Sequence, residues 1–334
     1  MENLIILDSE LQKKNEEHYQ SLHGGSRVVY TNYESPLIRR VRNFKYIGSA
    51  LYHFLMWKMS YDYARKFIKY DVKKIICVNP LVGIFLGILN KSGKEITLAG
   101  FLFENKKNKI YYYLRKQLVK KSFQNIGNII VYGSKEIHYY SELFPEFQEK
   151  FKFIHYGLDY DNQLTYQGSL PTKYIFSGGG SNRDYETLVK AVETSNLSMP
   201  CVIATQPWRV PTHGSNIQVL SDVVVETFGD VLAKSDFLVL SLKDIDLSAG
   251  HMVMLQAMSL GVPIIVNDIP SVRDYVDESL VTFYPSGDFE ALAQLIENFN
   301  PMVDDIIQKV HKAKALYFEQ YTSIKLMERL LDFK

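Results

Sequence analysis

Short apolar runs alternate along this chain with longer stretches in which apolar residues recur every three or four positions. The short runs predict strands at Leu4–Asp8, Arg27–Asn32, Lys74–Val78, Glu95–Phe103, Ile129–Gly133 and Lys152–Ile154 in the first half. A second series follows at Tyr174–Ser177, Cys201–Ala204, Ile217–Leu220, Phe237–Leu240, Pro263–Val266 and Val281–Tyr284. Helical periodicity falls between them, at about 10–22, 46–70, 81–91, 106–124 and 135–143, then 184–195, 226–235, 251–260, 270–276, 288–298 and 301–320. Strands that alternate with helices imply parallel βαβ units, so the expected class is α/β. Leu158–Pro171 is polar and rich in turn-forming residues, and predicts a linker. The organisation expected is one domain over 1–160, a second over 172–320, and a closing helix over 321–334 that packs back on the first.

Composition narrows the class. The 334 residues are 46% hydrophobic and 22% charged, as expected of a globular chain with a sizeable core. Cys77 and Cys201 both sit in apolar runs, which suits buried thiols and offers neither a disulfide framework nor a zinc site. The N-terminus lacks a basic region before an apolar core, and the longest apolar runs are too short to span a bilayer, so a cytoplasmic location is expected. Charge is uneven: residues 1–160 carry 25 Lys and Arg against 15 Asp and Glu, and the remainder 13 against 22. In the first half the cations are interleaved with aromatic residues. Tyr46–Phe67 carries Leu51, Phe54, Leu55, Trp57 and Met59 after Arg39, Arg40, Arg42 and Lys45, and Lys106–Lys121 places Tyr111, Tyr112, Tyr113 and Leu114 among seven Lys or Arg. Such faces suit the headgroup boundary of an anionic membrane, and no nucleic-acid partner is expected.

Two segments carry chemistry. Ser248-Ala-Gly-His-Met-Val-Met-Leu-Gln256 runs from a small-residue turn into a short apolar helix that stops at Gly261. Its Gly250 lets backbone approach a ligand, and the free N–H groups of the helix start suit a diphosphate. Gln256, two turns along, suits a ribose or sugar hydroxyl. Earlier, Phe176-Ser-Gly-Gly-Gly-Ser-Asn-Arg-Asp184 follows a strand and opens a helix. Three successive glycines let N–H groups converge on phosphate oxygens, Arg183 adds a cation, and Asp184 is placed as an N-cap. Arg183 at the sixth position breaks the dinucleotide fingerprint. Lys243-Asp-Ile-Asp246 holds a D-x-D pattern, but no metal site is expected; Asp246 better suits a sugar hydroxyl. His251, at the start of the phosphate-site helix, is the histidine expected to matter, although sequence leaves the sign of its pKa shift open.

These segments resemble the GT-B glycosyltransferases of the family 4-like group, the glycosyl transferases group 1 type, most strongly over residues 172–278. The resemblance implies two Rossmann-like α/β/α domains facing across a cleft, the second holding a nucleotide-sugar without metal and the first taking the acceptor. By position it implies that Gly178, Gly179, Gly180 and Arg183 face the diphosphate. Val219, Leu220, Ser221 and Asp222 line the base, Ser248, Ala249, Gly250, His251 and Met252 hold the phosphates and sugar, and Gln256 holds the ribose. The family's pair of Glu, with seven residues between them, is replaced here by Ser248 and Gln256.

The expected activity is therefore a metal-independent, hexosyltransferase-type transfer from a nucleotide-diphosphate-sugar, UDP-sugar favoured and no cofactor needed. The acceptor is a hydroxyl of a lipid-linked or cell-surface polysaccharide precursor, met by a peripheral protein on the inner face of the cell membrane. Arg183 and His251 are the expected catalytic groups. Asp8, Glu34 and Glu104, each after a predicted strand, are the candidates for a base. Two other classes remain: a sugar-nucleotide epimerase on the same fold, and a non-catalytic sugar-nucleotide-binding scaffold subunit.

Overall fold

A computed structural model of the chain describes residues 3–8, 15–22, 25–33, 48–104, 108–160, 164–245 and 247–333. It forms two compact units. One comprises Met1–Tyr132, Glu136–Ile154 and Leu326–Lys334; the other comprises Gly133–Lys135 and His155–Lys325.

The first unit is a six-stranded parallel sheet of β1 (Asn3–Leu7), β2 (Ser26–Tyr30), β3 (Lys74–Cys77), β4 (Glu95–Ala99), β5 (Asn128–Val131) and β6 (Phe151–Phe153), in the order β2-β1-β3-β4-β5-β6. Its helices are α1 (Glu16–Ser21), α2 (Gly48–Phe67), α3 (Pro80–Leu89), α4 (Lys109–Phe123) and α5 (Ser134–Leu143). Apart from the first residues of β3, β4 and β5, the central strands are buried, as a sheet covered on both faces requires. α3, apolar almost all round, is buried between α2 and α4. It starts sharply because Pro80 has no N–H to satisfy and Asn79 Oδ1 accepts from Leu81 and Val82 N–H at 3.1 and 3.0 Å. β4 ends four residues before its predicted limit. The N–H groups of Gly100 and Phe101 both converge on Ile130 O, at 3.0 and 3.3 Å, which breaks the ladder, and the apolar run continues as a loop that buries Phe101 and Phe103 and exposes Leu102.

The second unit is another six-stranded parallel sheet: β7 (Ile175–Gly178), β8 (Cys201–Ala204), β9 (Ile217–Leu220), β10 (Phe237–Leu240), β11 (Ile264–Asp268) and β12 (Thr282–Pro285). From one edge the order is β9-β8-β7-β10-β11-β12. That is the doubly wound arrangement in which the topology switches between the first and fourth strands, here β7 and β10. The helices are α6 (Tyr185–Thr194), α7 (Val225–Ala233), α8 (His251–Leu260), α9 (Pro270–Arg273), α10 (Phe289–Asn298) and α11 (Asp304–Gln320), and α12 (Ser323–Asp332) closes the chain. The second unit begins at His155, so Leu158–Pro171 belongs to it; α12 falls mostly to the first unit, where Lys74 Nζ donates to Leu331 O and Phe333 O at 3.0 and 2.7 Å.

One buried side chain organises the carboxyl edge of the second sheet. Asn267, 1% exposed at the end of β11, accepts from Leu242 N–H at 2.9 Å and donates to Leu242 O at 2.8 Å. It also donates to Ser286 Oγ at 3.0 Å. Asn267→Ala strands a buried donor and acceptor and is expected to cost about 1–3 kcal/mol. Differential scanning calorimetry should show the melting of the second unit shifted down by several degrees, with Asn267→Asp recovering only part of the loss.

Candidate functional site

The glycine-rich loop leaves β7 at the topological switch point. Each of its carbonyls is tied inward. Gly178 O accepts from Arg183 Nε at 2.8 Å; Gly179 O accepts from Tyr185 OH and Thr205 Oγ at 2.7 and 2.9 Å; Gly180 O accepts from Arg209 Nη1; Ser181 O accepts from Arg183 Nη1 at 2.7 Å. Gly179 has φ +103° and its Cα faces the Arg183 guanidinium, so a side chain there meets both strain and a clash. With the carbonyls tied, no group among the described residues accepts from the N–H of Gly180, Ser181 or Asn182. A run of outward N–H groups is a nest for an anion.

Arg183 closes the loop. Its backbone faces Leu242 in an isolated antiparallel bridge, with Asp184 N–H to Ser241 O at 3.0 Å and Lys243 N–H to Asn182 O at 2.9 Å. Asp184 then caps α6, accepting from Thr187 N–H at 3.2 Å. Half-buried, the Arg183 guanidinium meets no carboxylate among the described residues, and burial holds its pKa below the usual arginine value.

The start of α8 meets the same place. Gly250 is its N-cap at φ +84°, and a Cβ on it would lie 2.8 Å from Leu242 Cδ1. Only glycine fits that close approach. The helix stops at Gly261, as expected, with Val262 N–H reaching Ala257 O at 2.9 Å. His251 is buried, its Nε2 3.0 Å from Ser271 O and its ring 4.2 Å from that of Tyr275. Burial pulls its pKa down to about 4, helped by the positive charge of Arg183, so the imidazole is neutral near pH 7. The two loops singled out in the sequence thus converge on Leu242.

The comparisons bear on this geometry. Residues 203–299 match the family model described as glycosyl transferases group 1. That match covers the strands and helices from β8 to α10, and the fold of the chain as a whole is GT-B. No curated protein matches the chain. Among solved structures it is similar to Anabaena Alr3699/HepE in complex with UDP-glucose, at TM-score 0.64 and 10% identity, covering 98% of both chains. It is also similar to sucrose-phosphate synthase from Thermosynechococcus elongatus, at TM-score 0.64 and 13% identity over 99% of this chain and 98% of that one. A third is a glycosyltransferase from Rickettsia africae, at TM-score 0.61 and 12% identity over 100% and 99%.

The other expected site residues lie elsewhere in the two units. Gln256 is buried on α8 at 8% exposure, and Met252 is exposed. Ser248 and Ala249 are half-buried in the turn before Gly250. At the end of β9, Leu220 is buried and Val219 half-buried, while Ser221 and Asp222 are exposed; Asp222 accepts from Tyr166 OH at 3.0 and 3.1 Å. Asp8 follows β1 at the switch point of the first sheet. Its Oδ1 accepts from Asn79 Nδ2 at 2.6 Å and Thr31 Oγ1 at 3.4 Å. Glu104 is exposed in the loop after β4; Glu34 and Asp246 lie outside the described residues. The tethers Tyr185, Thr205 and Arg209, and the brace Asn267, were not singled out in the sequence. The one available signal was position, since Thr205-Gln-Pro-Trp-Arg209 leaves the strand next to β7 at its carboxyl end.

His251 yields a pH prediction. Its pKa in the folded chain lies below the ordinary 6.5, so the unfolded chain takes up the proton more readily between about 6.5 and about 4. The stability it contributes is complete above that window and is lost as pH falls through it, by about 3 kcal/mol at most. Denaturant unfolding of wild type and His251→Phe across pH 4–7 should show the wild type losing the larger share of its stability on acidification.

Proposed function

We infer that the protein transfers a sugar from a UDP-sugar to a hydroxyl of a lipid-linked or cell-surface polysaccharide precursor. The observation that carries this is a half-buried arginine without a carboxylate partner among the described residues, set between outward loop N–H groups and the start of α8 at a switch point. Ligands bind at such switch points, and this one favours an anion. The solved neighbours in complex with UDP and UDP-glucose support the choice of donor.

Glycosyl transfer breaks the bond from the anomeric carbon to the diphosphate, and negative charge builds on the departing oxygen. Arg183, the nest of N–H groups and the α8 dipole are fixed beforehand, so they stabilise that charge without reorganising, which supports a metal-independent transfer; the sugar proposed is a hexose. Gln256 serves the ribose, and neutral His251 can exchange hydrogen bonds with the sugar or phosphate but brings no charge. Of the base candidates, Asp8 is held by other side chains: Asn79 Oδ1 is committed to the α3 cap, which turns Nδ2 toward the Asp8 carboxylate.

The acceptor reading rests on the first unit. Phe54 on α2, Leu102 after β4, and Ile110, Tyr113 and Leu114 on α4 are exposed by 65, 48, 74, 60 and 61%. Lys109 and Lys121 are exposed on α4 as well, whereas Arg115 and Lys116 lie over the Phe103 and Phe144 rings and Lys120 pairs with Glu146. No described helix is long and apolar enough to cross a membrane. This face therefore suits peripheral contact, in a protein of the inner membrane surface.

Two experiments check the proposal. A thermal-shift screen over UDP-, GDP-, ADP- and CMP-sugars should single out UDP-sugars, and Arg183→Ala should cut turnover by about 30- to 1000-fold. Unchanged affinity and turnover in that variant would remove the phosphate assignment; donor consumed without acceptor points to the epimerase, and binding without turnover to the scaffold. In vesicle co-sedimentation the protein should bind anionic vesicles at low salt and less at high salt. Equal binding to neutral vesicles removes the electrostatic part, and no binding removes the membrane reading.

A further inference from the structure

We propose that Trp208 is the stacking platform for the nucleobase of the donor, a reading that rests on the nucleotide-sugar function above. The indole is 77% exposed, on a turn formed by Pro207–Arg209 directly after β8. The turn is rigid: Arg209 N–H reaches Gln206 O at 3.0 Å, Val210 N–H reaches Pro207 O at 3.2 Å, and Pro207 has fixed φ. It is also latched to the phosphate loop, because Arg209 Nη1 donates to Gly180 O. An exposed aromatic alone signifies little. This one is held by a cation to the glycine that presents N–H groups to the diphosphate.

Strand order gives the direction of the nucleoside. The diphosphate lies at β7 and β10, and β8 separates β7 from β9. Neighbouring strands are about 4.8 Å apart, so β9 lies about 10 Å from β7. A nucleoside running from the phosphate loop toward Ser221 and Asp222 after β9 passes over the carboxyl end of β8, where Trp208 stands. Val224 and Val225, 52 and 75% exposed at the start of α7, extend the apolar surface on the β9 side. A flat aromatic base suits an indole face flanked by two valines, and the place of Trp208 over β8 on the side of β9 favours the base over the sugar.

The chain has two tryptophans, so Trp57→Phe leaves Trp208 as the single reporter. In that background, UDP should quench the emission of Trp208. By calorimetry, Trp208→Ala should weaken UDP by about 5- to 150-fold, the range for loss of one base–aromatic stack, while inorganic pyrophosphate binds as to wild type and Trp208→Phe recovers most of the UDP affinity. UDP bound with equal affinity by wild type and Trp208→Ala overturns the stacking and leaves the glycosyltransferase reading intact. Equal losses of UDP and pyrophosphate also overturn it, since Trp208 would then only shape the loop. No binding of UDP, GDP, ADP or CMP by wild type overturns the nucleotide-sugar reading, and this inference with it.

Discussion

Leu242 is held on both sides, and the candidate site of the second unit depends on it. Its N–H and C=O pair with the side-chain amide of Asn267, and its other flank is bridged by the backbone around Arg183. The chain beyond β10 therefore stays extended instead of peeling off the sheet. That extension gives the glycine-rich loop a strand to close against and presents the leucine side chain that Gly250 must approach. The Leu242 N–H and C=O are buried, so leaving them unpaired would cost more than pairing them gains. The glycine-rich loop and the start of α8 meet because one amide supplies what a further strand residue would have supplied.

Electrostatically the site holds the guanidinium of Arg183, with that of Arg209 on Gly180 O, plus oriented dipoles. Arg183 spends Nε and Nη1 on loop carbonyls, and these bonds turn the adjacent N–H groups outward. The same residue thus shapes the nest and supplies its charge. A cation in this position is costly until an anion arrives. His251 adds no charge, because burial keeps it neutral. Any stabilisation of an anion here then rests on geometry already in place, which is the condition for stabilising charge as it develops.

The first unit uses its charge differently. Most described cations of α4 lie along aromatic rings or a carboxylate, leaving an exposed row of Ile110, Tyr111, Tyr113 and Leu114 with lysines at either end. Its polar chemistry gathers elsewhere, where Asn79 caps α3 with one end of its amide and holds Asp8 with the other. A helix cap and a carboxylate orientation are consequently coupled: disturbing α3 disturbs Asp8.

Much of this was legible in the sequence, for physical reasons. Apolar runs such as Ile217–Leu220 and Phe237–Leu240 are strands because a parallel sheet is buried on both faces, and the amphipathic stretches between them can only cover it. The limits of α8 were legible because left-handed turns at Gly250 and Gly261 are cheap for glycine alone. Sequence also placed Arg183 and Gly250 among the candidate groups, since loops after strands end at the same sheet edge. It did not show that Asn267, more than eighty residues from Arg183, braces the pair, that Thr205, Tyr185 and Arg209 turn the loop inside out, or that Arg183 lacks a carboxylate among the described residues. Local patterns report burial and backbone freedom. Hydrogen-bond partners across a doubly wound sheet are chosen by strand order, and strand order exists only once the chain has folded.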